Sequence, residues 1–284
     1  MNSPAWRAAA WMVVALLSFM AMAIAGRELA NAGLSTFQIL FFRSVVGLLV
    51  IGALVLHTGP ALLRTQRLGE HVWRNVAHFG GQFGWFFAIA LLPLAEVFAI
   101  EFTIPIWTAL LAAVFLGERL TRPRIVALAL GLAGVLLVLR PGLSIVQPAA
   151  LAALGGALAY AASYLLTKRL TSTEAPLAIL FYMTVVQLPM GLIGAVPQWQ
   201  PLAAGQLPWL GVVGVTALTA HYGIARALKL ADVGMVIPID FLRLPLVALI
   251  GWALYGETVG ALAIAGALLI VLGNVINLRA APAR

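Results

Sequence analysis

The sequence predicts an all-α integral membrane protein in which ten transmembrane helices form two five-helix repeats of inverted topology. Of its 284 residues, 63% are hydrophobic and 9% are charged, whereas a soluble domain has about 25% charged residues. The apolar residues lie in long unbroken runs near the roughly 20 residues that a helix needs to cross a bilayer. Barrel strands would alternate over shorter segments. Segments of the first half also recur in the second half.

The repeat is visible in two pairs of segments. Glu101–Glu118 reads EFTIPIWTALLAAVFLGE, and 139 positions later Asp240–Glu257 reads DFLRLPLVALIGWALYGE. Both begin with an acid and a phenylalanine, and both end in Gly-Glu. Ile39–Leu48 (ILFFRSVVGL) is similarly followed, 140 positions later, by Ile179–Leu188 (ILFYMTVVQL). Two echoes at nearly the same offset indicate a duplicated chain, with repeats at 1–143 and 144–284.

The apolar runs place all ten spans. We keep the first as a span, although Arg7 precedes it as in a signal sequence, because the run is long and the repeat needs a fifth helix. The longest polar connectors are 57–74 and 197–207. The predicted spans are about 8–25, 35–56, 75–92, 97–116, 124–139, 149–167, 175–196, 208–228, 233–254 and 259–277.

The basic residues predict the orientation. The net charge of +8 does not indicate nucleic-acid binding, because the bases lie in short connectors between spans. If both termini lie in the cytoplasm, Arg27 and Arg140 are the only basic residues of the connectors on the outer side of the membrane. Such an excess of basic residues on the inner side is what the positive-inside rule predicts. Five spans per half is an odd number, so the second half inserts upside down. The first Gly-Glu is accordingly followed by RLTRPR, and the second by TVGALAIAG, which has no base.

Several kinds of site are not expected. The chain has no cysteine, four histidines without metal-ligand spacing, and no Gly-rich loop for phosphate, so we predict no metal, no cofactor and no ATP chemistry. An intramembrane enzyme would need a nucleophile and a base together. Ser163 with His78 or His221 is a conceivable set, but no motif selects it, so we predict that the protein is not an enzyme.

Inverted repeats are the architecture of many secondary transporters. The five-plus-five arrangement, with spans ending in Phe-Leu-Gly-Glu and Leu-Tyr-Gly-Glu, resembles the drug/metabolite transporter superfamily, EamA type, and within it the YddG-like bacterial amino-acid exporters. The resemblance implies a central cavity in a multi-pass protein of the bacterial inner membrane. It also implies alternating-access export of aromatic, hydrophobic or other amino acids, or of related small metabolites, by a monomer or homodimer. Export of drugs or other metabolites is the alternative.

Charged residues inside spans are candidates for function, because burying charge in a membrane is costly. Arg43 and Glu101 lie at similar depth on spans two and four, and we expect them to pair near the outer mouth of the cavity. Asp240 and Arg243 are three residues apart on span nine, nearer the inner side. These pairs are candidate gates, or anchors for the carboxylate and ammonium groups of a zwitterion. The alternatives are structural ion pairs or, for Arg243, a side chain reaching toward lipid headgroups.

Polar and aromatic residues in the spans are the candidate cavity lining. Asn75, His78, Gln82 and Trp85 form one face of span three, beside the GxxxG of Gly80 and Gly84. Aromatic rings with polar tips suit a cavity for mixed polar and apolar ligands, although belt or packing roles are alternatives. The remaining candidates are Trp107, Tyr160, Ser163, Tyr164, Tyr182, His221 and Tyr222. Four prolines lie within predicted spans, where each is expected to remove a helix hydrogen bond and bend the helix: Pro105, Pro189, Pro238 and Pro245.

Overall fold

The computed structural model describes residues 4–59, 63–117, 121–139, 147–230 and 239–279, and this part of the chain is helical throughout apart from short connections. Every predicted span overlaps one or two of its helices; the start of span nine, with Pro238, lies outside the described residues. The helices are α1 (Pro4–Asn31), α2 (Thr36–Thr58), α3 (Leu68–Leu91), α4 (Leu94–Glu101), α5 (Ile104–Leu116), α6 (Arg122–Leu139), α7 (Pro148–Leu170), α8 (Pro176–Ala195), α9 (Leu207–Leu230), α10 (Arg243–Tyr255) and α11 (Ala261–Arg279).

The helices are those of a multi-pass membrane protein. Seven described segments are long and apolar enough to cross a bilayer, and one of them runs through both α4 and α5. Two shorter apolar helices, Arg243–Tyr255 and Ala261–Asn277, accompany them. Helix α3 is not among these seven segments, because the polar residues on one of its faces lower its hydropathy. Much of that polar face is buried inside the protein.

The helix ends follow local sequence signals. The Ser35 hydroxyl accepts a hydrogen bond from the backbone N–H of Gln38 at the start of α2 (3.3 Å), as N-cap residues do. Gly117 and Gly256, from the two Gly-Glu pairs, end α5 and α10 in the left-handed conformation, with φ of 66° and 63°. This conformation favours glycine, which has no Cβ to clash. Glu118 lies outside the described residues.

The predicted fourth span, 97–116, is not one helix. The helical run is broken at residues 102–103, between α4 and α5. A turn at residues 241–242 likewise precedes α10. These turns occupy equivalent positions in the two sequence repeats. Pro105 and Pro245 lie in the first helical turns that follow, where a missing N–H costs little, whereas Pro189 lies inside α8, which continues to Ala195.

The main helix contacts join the first half of the chain to the second. The closely packed pairs are α1 with α9, α2 with α8, α3 with α7, and α6 with α11. On α3, a Cβ added at Gly84 would collide with the backbone carbonyl of Ala152 on α7, whereas one added at Gly80 would be 3.7 Å from Ala159. The close approach of α3 and α7 therefore depends on Gly84 and not on Gly80.

Candidate functional site

A small cavity of about 20 Å³ lies inside the helix bundle. Its walls come from α1, α2, α3, α4, α5, α7 and α9, so both halves of the chain contribute. This volume holds about one water molecule, so a metabolite could enter only after the lining helices move apart. The lining residues are Phe19, Met22, Arg43, Gln82, Trp85, Phe86, Glu101, Ile104, Tyr160, Tyr164 and His221.

Aromatic rings form much of the cavity wall. Phe19 of α1 meets His221 of α9 edge to face, with ring centroids 6.0 Å apart. Tyr160 and Tyr164, one turn apart on α7, are nearly parallel, with centroids 6.4 Å apart. Such faces bind flat, apolar or mixed ligands well, because each ring offers a large rigid surface with a polar tip or edge.

An ion triad lies where the two broken helical segments meet. Arg243 Nη1 is 3.1 Å from Glu101 Oε1, and Arg243 Nη2 is 2.6 Å from Asp240 Oδ2. The Trp85 indole N–H donates to Glu101 Oε2 (2.7 Å). The Arg243 guanidinium also lies 4.5 Å from the ring centroid of Phe19, at cation–π distance. Glu101 and Asp240, which are equivalent in the sequence repeat, thus share one arginine.

The predicted pairing of Arg43 with Glu101 is wrong. Glu101 bonds to Arg243 instead, so the acid of the first half and the Asp240–Arg243 pair of the second form one cluster and not separate outer and inner pairs. The physical reason is the helix breaks. The breaks bring the end of α4 and the start of α10 together in the interior. If both spans were straight helices, these two ends would lie at different depths in the membrane.

Two other buried side chains reach the cavity without a protein partner. Arg43 is 4% exposed, and its Nε has no hydrogen-bond partner. Gln82 is also buried, and neither its amide oxygen nor its amide nitrogen is bonded. Because buried polar groups are nearly always hydrogen-bonded, both side chains have unused capacity to bind a ligand in the cavity.

Several predicted residues lie behind the cavity wall. His78 is buried, hydrogen-bonds through Nδ1 to the Gln187 amide nitrogen (3.0 Å), and packs against the rings of Tyr160 and His221. The Trp107 indole donates to the Thr103 hydroxyl at the helix break (3.0 Å). Ser163 of the predicted set is fully buried, and so is Asn75 on the polar face of α3. These side chains support the wall but are not among the residues that line the cavity.

Tyr182 and Tyr222 are not among the residues that line this cavity. The Tyr182 hydroxyl donates to the Leu63 carbonyl in the connector before α3 (2.9 Å), because Tyr182 lies near the beginning of α8. Tyr222 is 49% exposed and packs edge to face on Trp11. Adjacent helical residues point about 100° apart, so when His221 faces the cavity Tyr222 cannot.

A second buried ion pair joins three helix ends. Arg27 Nη1 is 2.9 Å from Glu257 Oε1, and Glu257 Oε2 accepts from the backbone N–H of Leu94 (2.8 Å). Arg27 also donates to the carbonyls of Ile89 and Leu92. The pair therefore links the last turns of α1 to the α3–α4 turn and to the residue after Gly256. Sequence reasoning missed it, since both residues lie at span ends, where charges are common.

Four lining residues were also missed: Phe19, Met22, Phe86 and Ile104. Each is an apolar residue in an apolar span, so no sequence signal distinguishes it from a residue that faces lipid. Within the described ranges there is no group of three or more His, Cys, Asp or Glu side chains that could hold a metal ion.

The model of the EamA-like transporter family matches the chain twice, at residues 6–140 and 147–279. A riboflavin transporter of Vibrio cholerae is 30% identical over 269 residues, covering 93% of this chain and 90% of that protein. An S-adenosylmethionine uptake transporter of Rickettsia conorii is 24% identical, covering 92% and 88%. The pseudopaline exporter CntI of Pseudomonas aeruginosa is 29% identical, covering 92% of each chain. A solved crystal structure aligns over 95% of both chains with a TM-score of 0.64 at 20% identity, which shows a shared fold.

Proposed function

The chain belongs to the EamA-like transporter family, and we propose that it moves a small, ring-bearing metabolite across a bacterial inner membrane by alternating access. The observation that carries the substrate proposal is the cavity, which combines aromatic walls with the unpaired amide of Gln82. A planar heterocycle with an adjacent donor and acceptor on its edge would stack on the rings and bond to this amide. The ring systems of riboflavin and S-adenosylmethionine, the named substrates of two relatives, are of this kind.

Alternating access requires two halves that can exchange conformations, and the helix contacts support an inverted repeat of ten spans. If the spans of each half are numbered one to five, α1 is span one of the first half and packs on α9, span three of the second half. Conversely, α3 is span three of the first half and packs on α7, span one of the second half. The α2–α8 and α6–α11 pairs join second with second and fifth with fifth. A two-fold axis relating repeats 1–143 and 144–284 would produce this pattern, with the cavity between them. Ten spans would put both termini on one side of the membrane, and the basic connectors favour the cytoplasm.

Amino-acid export is the second candidate. Arg43 and Glu101 line the same cavity, so opposite charges face one space. An amino acid presents a carboxylate and an ammonium group that these charges could bind, while its side chain contacts the rings. One relative is named for uptake and another for export, and in a carrier the substrate gradient sets the direction of net flux.

Counterflow in proteoliposomes tests the proposal. Vesicles with purified protein are preloaded with unlabelled riboflavin, adenosine or an aromatic amino acid, and entry of the labelled compound is followed. We expect accelerated entry for at least one of these compounds, and Gln82→Leu should slow entry of the heterocycles more than that of the amino acid. Tyr222→Phe, outside the cavity, is the matched control and should exchange like the parent protein. Folded protein that exchanges none of these compounds would overturn the proposal.

A further inference from the structure

The buried charges of the described bundle do not balance around the cavity. Three arginines are buried within helices: Arg43 (4% exposed), Arg74 (5%) and Arg243 (4%). The acids in their region, Glu101 and Asp240, both contact Arg243. Neither of the other two arginines forms an ion pair with any acid in the described ranges.

Among the described residues, only neutral groups accept the hydrogen bonds of Arg74, and one nitrogen of Arg43 has no acceptor. Arg74 donates to the Thr167 hydroxyl (3.1 Å) and to the Asn75 amide oxygen (2.7 Å). Arg43 has an unbonded Nε and lines the cavity beside Tyr160. The two guanidinium groups also lie within electrostatic range of each other. An uncompensated buried charge is strongly unfavourable, and two like charges add repulsion.

The cationic side of the cavity therefore suits an anion. We propose that the transported substrate carries an acidic group, a carboxylate or a phosphate, and that Arg43 binds this group directly. Arg74 adds positive potential from behind the wall formed by Tyr160 and Tyr164. A guanidinium presents paired N–H donors that match the oxygens of either group. This inference rests on the proposed transport function and names the substrate's charge, which the aromatic walls and Gln82 leave open.

Matched ligand pairs isolate the acidic group. Riboflavin and riboflavin 5′-phosphate share one ring system and differ by a phosphate, and indole-3-acetamide and indole-3-acetic acid differ by a neutral amide in place of a carboxylate. Binding to the purified full chain is measured by isothermal titration calorimetry in detergent. We expect the acidic member of at least one pair to bind about tenfold or more tightly than its partner, as a charge-assisted bidentate contact implies. The pair that shows this preference identifies the acid as phosphate or carboxylate.

Arginine variants test which residue causes the tighter binding of the acidic ligand. Arg43→Gln should remove the difference between the two members of the responsive pair, and Arg43→Lys, which keeps the charge, should retain part of it. Arg74→Gln should reduce the preference without abolishing it. Arg122→Gln, the same change at an exposed site at the start of α6, is the control and should keep the full preference. Size-exclusion profiles of each variant verify that it is folded.

The outcomes separate this inference from the transport proposal. Equal binding of acidic and neutral members, or an acidic preference that survives in folded Arg43→Gln, overturns the inference, whatever counterflow shows. An acidic preference that depends on Arg43, in a protein that exchanges nothing across the membrane, upholds the anion site and refutes transport. Exchange of neutral ligands alone upholds transport and refutes the acidic substrate.

Discussion

Arg243 is the countercharge for two buried carboxylates, so removing it should destabilise the protein strongly. The side chains of Arg243, Glu101 and Asp240 are 5%, 12% and 15% exposed, and the two ion-pair distances are 3.1 and 2.6 Å. Arg243→Met would leave both acids without a cation in a poorly hydrated interior. Breaking a buried pair by removing one partner typically costs about 3–5 kcal/mol. The apolar contacts with the surrounding phenylalanines would survive, so the lost charge dominates.

The free energy of unfolding can be measured by titrating the protein with SDS in mixed micelles. We expect Arg243→Met to lower it by about 3 kcal/mol or more. The matched control is the triple variant Glu101→Gln, Asp240→Asn, Arg243→Met, which removes all three charges. The triple variant leaves no buried charge without a partner, which is the main penalty of the single variant, so it should recover part of the lost stability.

Two results would refute this reasoning about the ion triad. One is an Arg243→Met protein that unfolds at the same SDS fraction as the parent, which would mean that the acids find other compensation. The other is a triple variant as unstable as the single variant, which would assign the loss to the volume and shape of the arginine and not to its charge.

Three further outcomes are expected. Gly84→Ala should lower the SDS unfolding free energy by about 1–3 kcal/mol, because its Cβ meets helix backbone, whereas Gly80→Ala should be neutral; equal effects would contradict the assigned contact. The Arg27–Glu257 pair ties the end of α1 to the α3–α4 turn, and we expect this link to help hold the cavity closed. Glu257→Gln should therefore speed maleimide labelling of a cysteine introduced into the cavity wall about tenfold, a shift of about 1.4 kcal/mol toward opening. The chain has no native cysteine to interfere, and unchanged labelling would exclude this closing role. Tyr222→Phe should leave counterflow KM unchanged, and a raised KM would place that hydroxyl at the substrate.

The helices could be predicted because the membrane environment imposes a simple rule. A chain segment in lipid must satisfy its own backbone hydrogen bonds, so apolar runs of sufficient length become helices. The predicted sixth and seventh spans, about 149–167 and 175–196, accordingly overlap α7 (Pro148–Leu170) and α8 (Pro176–Ala195). The break at residues 102–103 was not predicted as a break, because a proline alone is also compatible with a bent continuous helix.

The cavity could be predicted in part, since polar residues in lipid-spanning helices turn inward. Gln82, Trp85, Glu101 and Tyr160 were found in this way, and all line the cavity. Tyr182 shows the limit of this reasoning. A polar aromatic residue near a span end satisfies its hydroxyl equally well by contacting a connector, and its sequence position does not distinguish the two cases.

The sequence by itself determined the membrane environment, the helical class, the internal duplication and the polar residues that the helices must shield from lipid. These properties follow from composition and from local backbone physics, which act within one segment. Only the tertiary structure decided that Glu101 pairs with Arg243 and that Arg43 faces the cavity without an acid. Ion pairing depends on distances of a few ångströms between helices distant in sequence. Those distances are set by helix breaks and by close helix contacts at glycines such as Gly84. A contact between two helices cannot be deduced from the sequence of either helix alone.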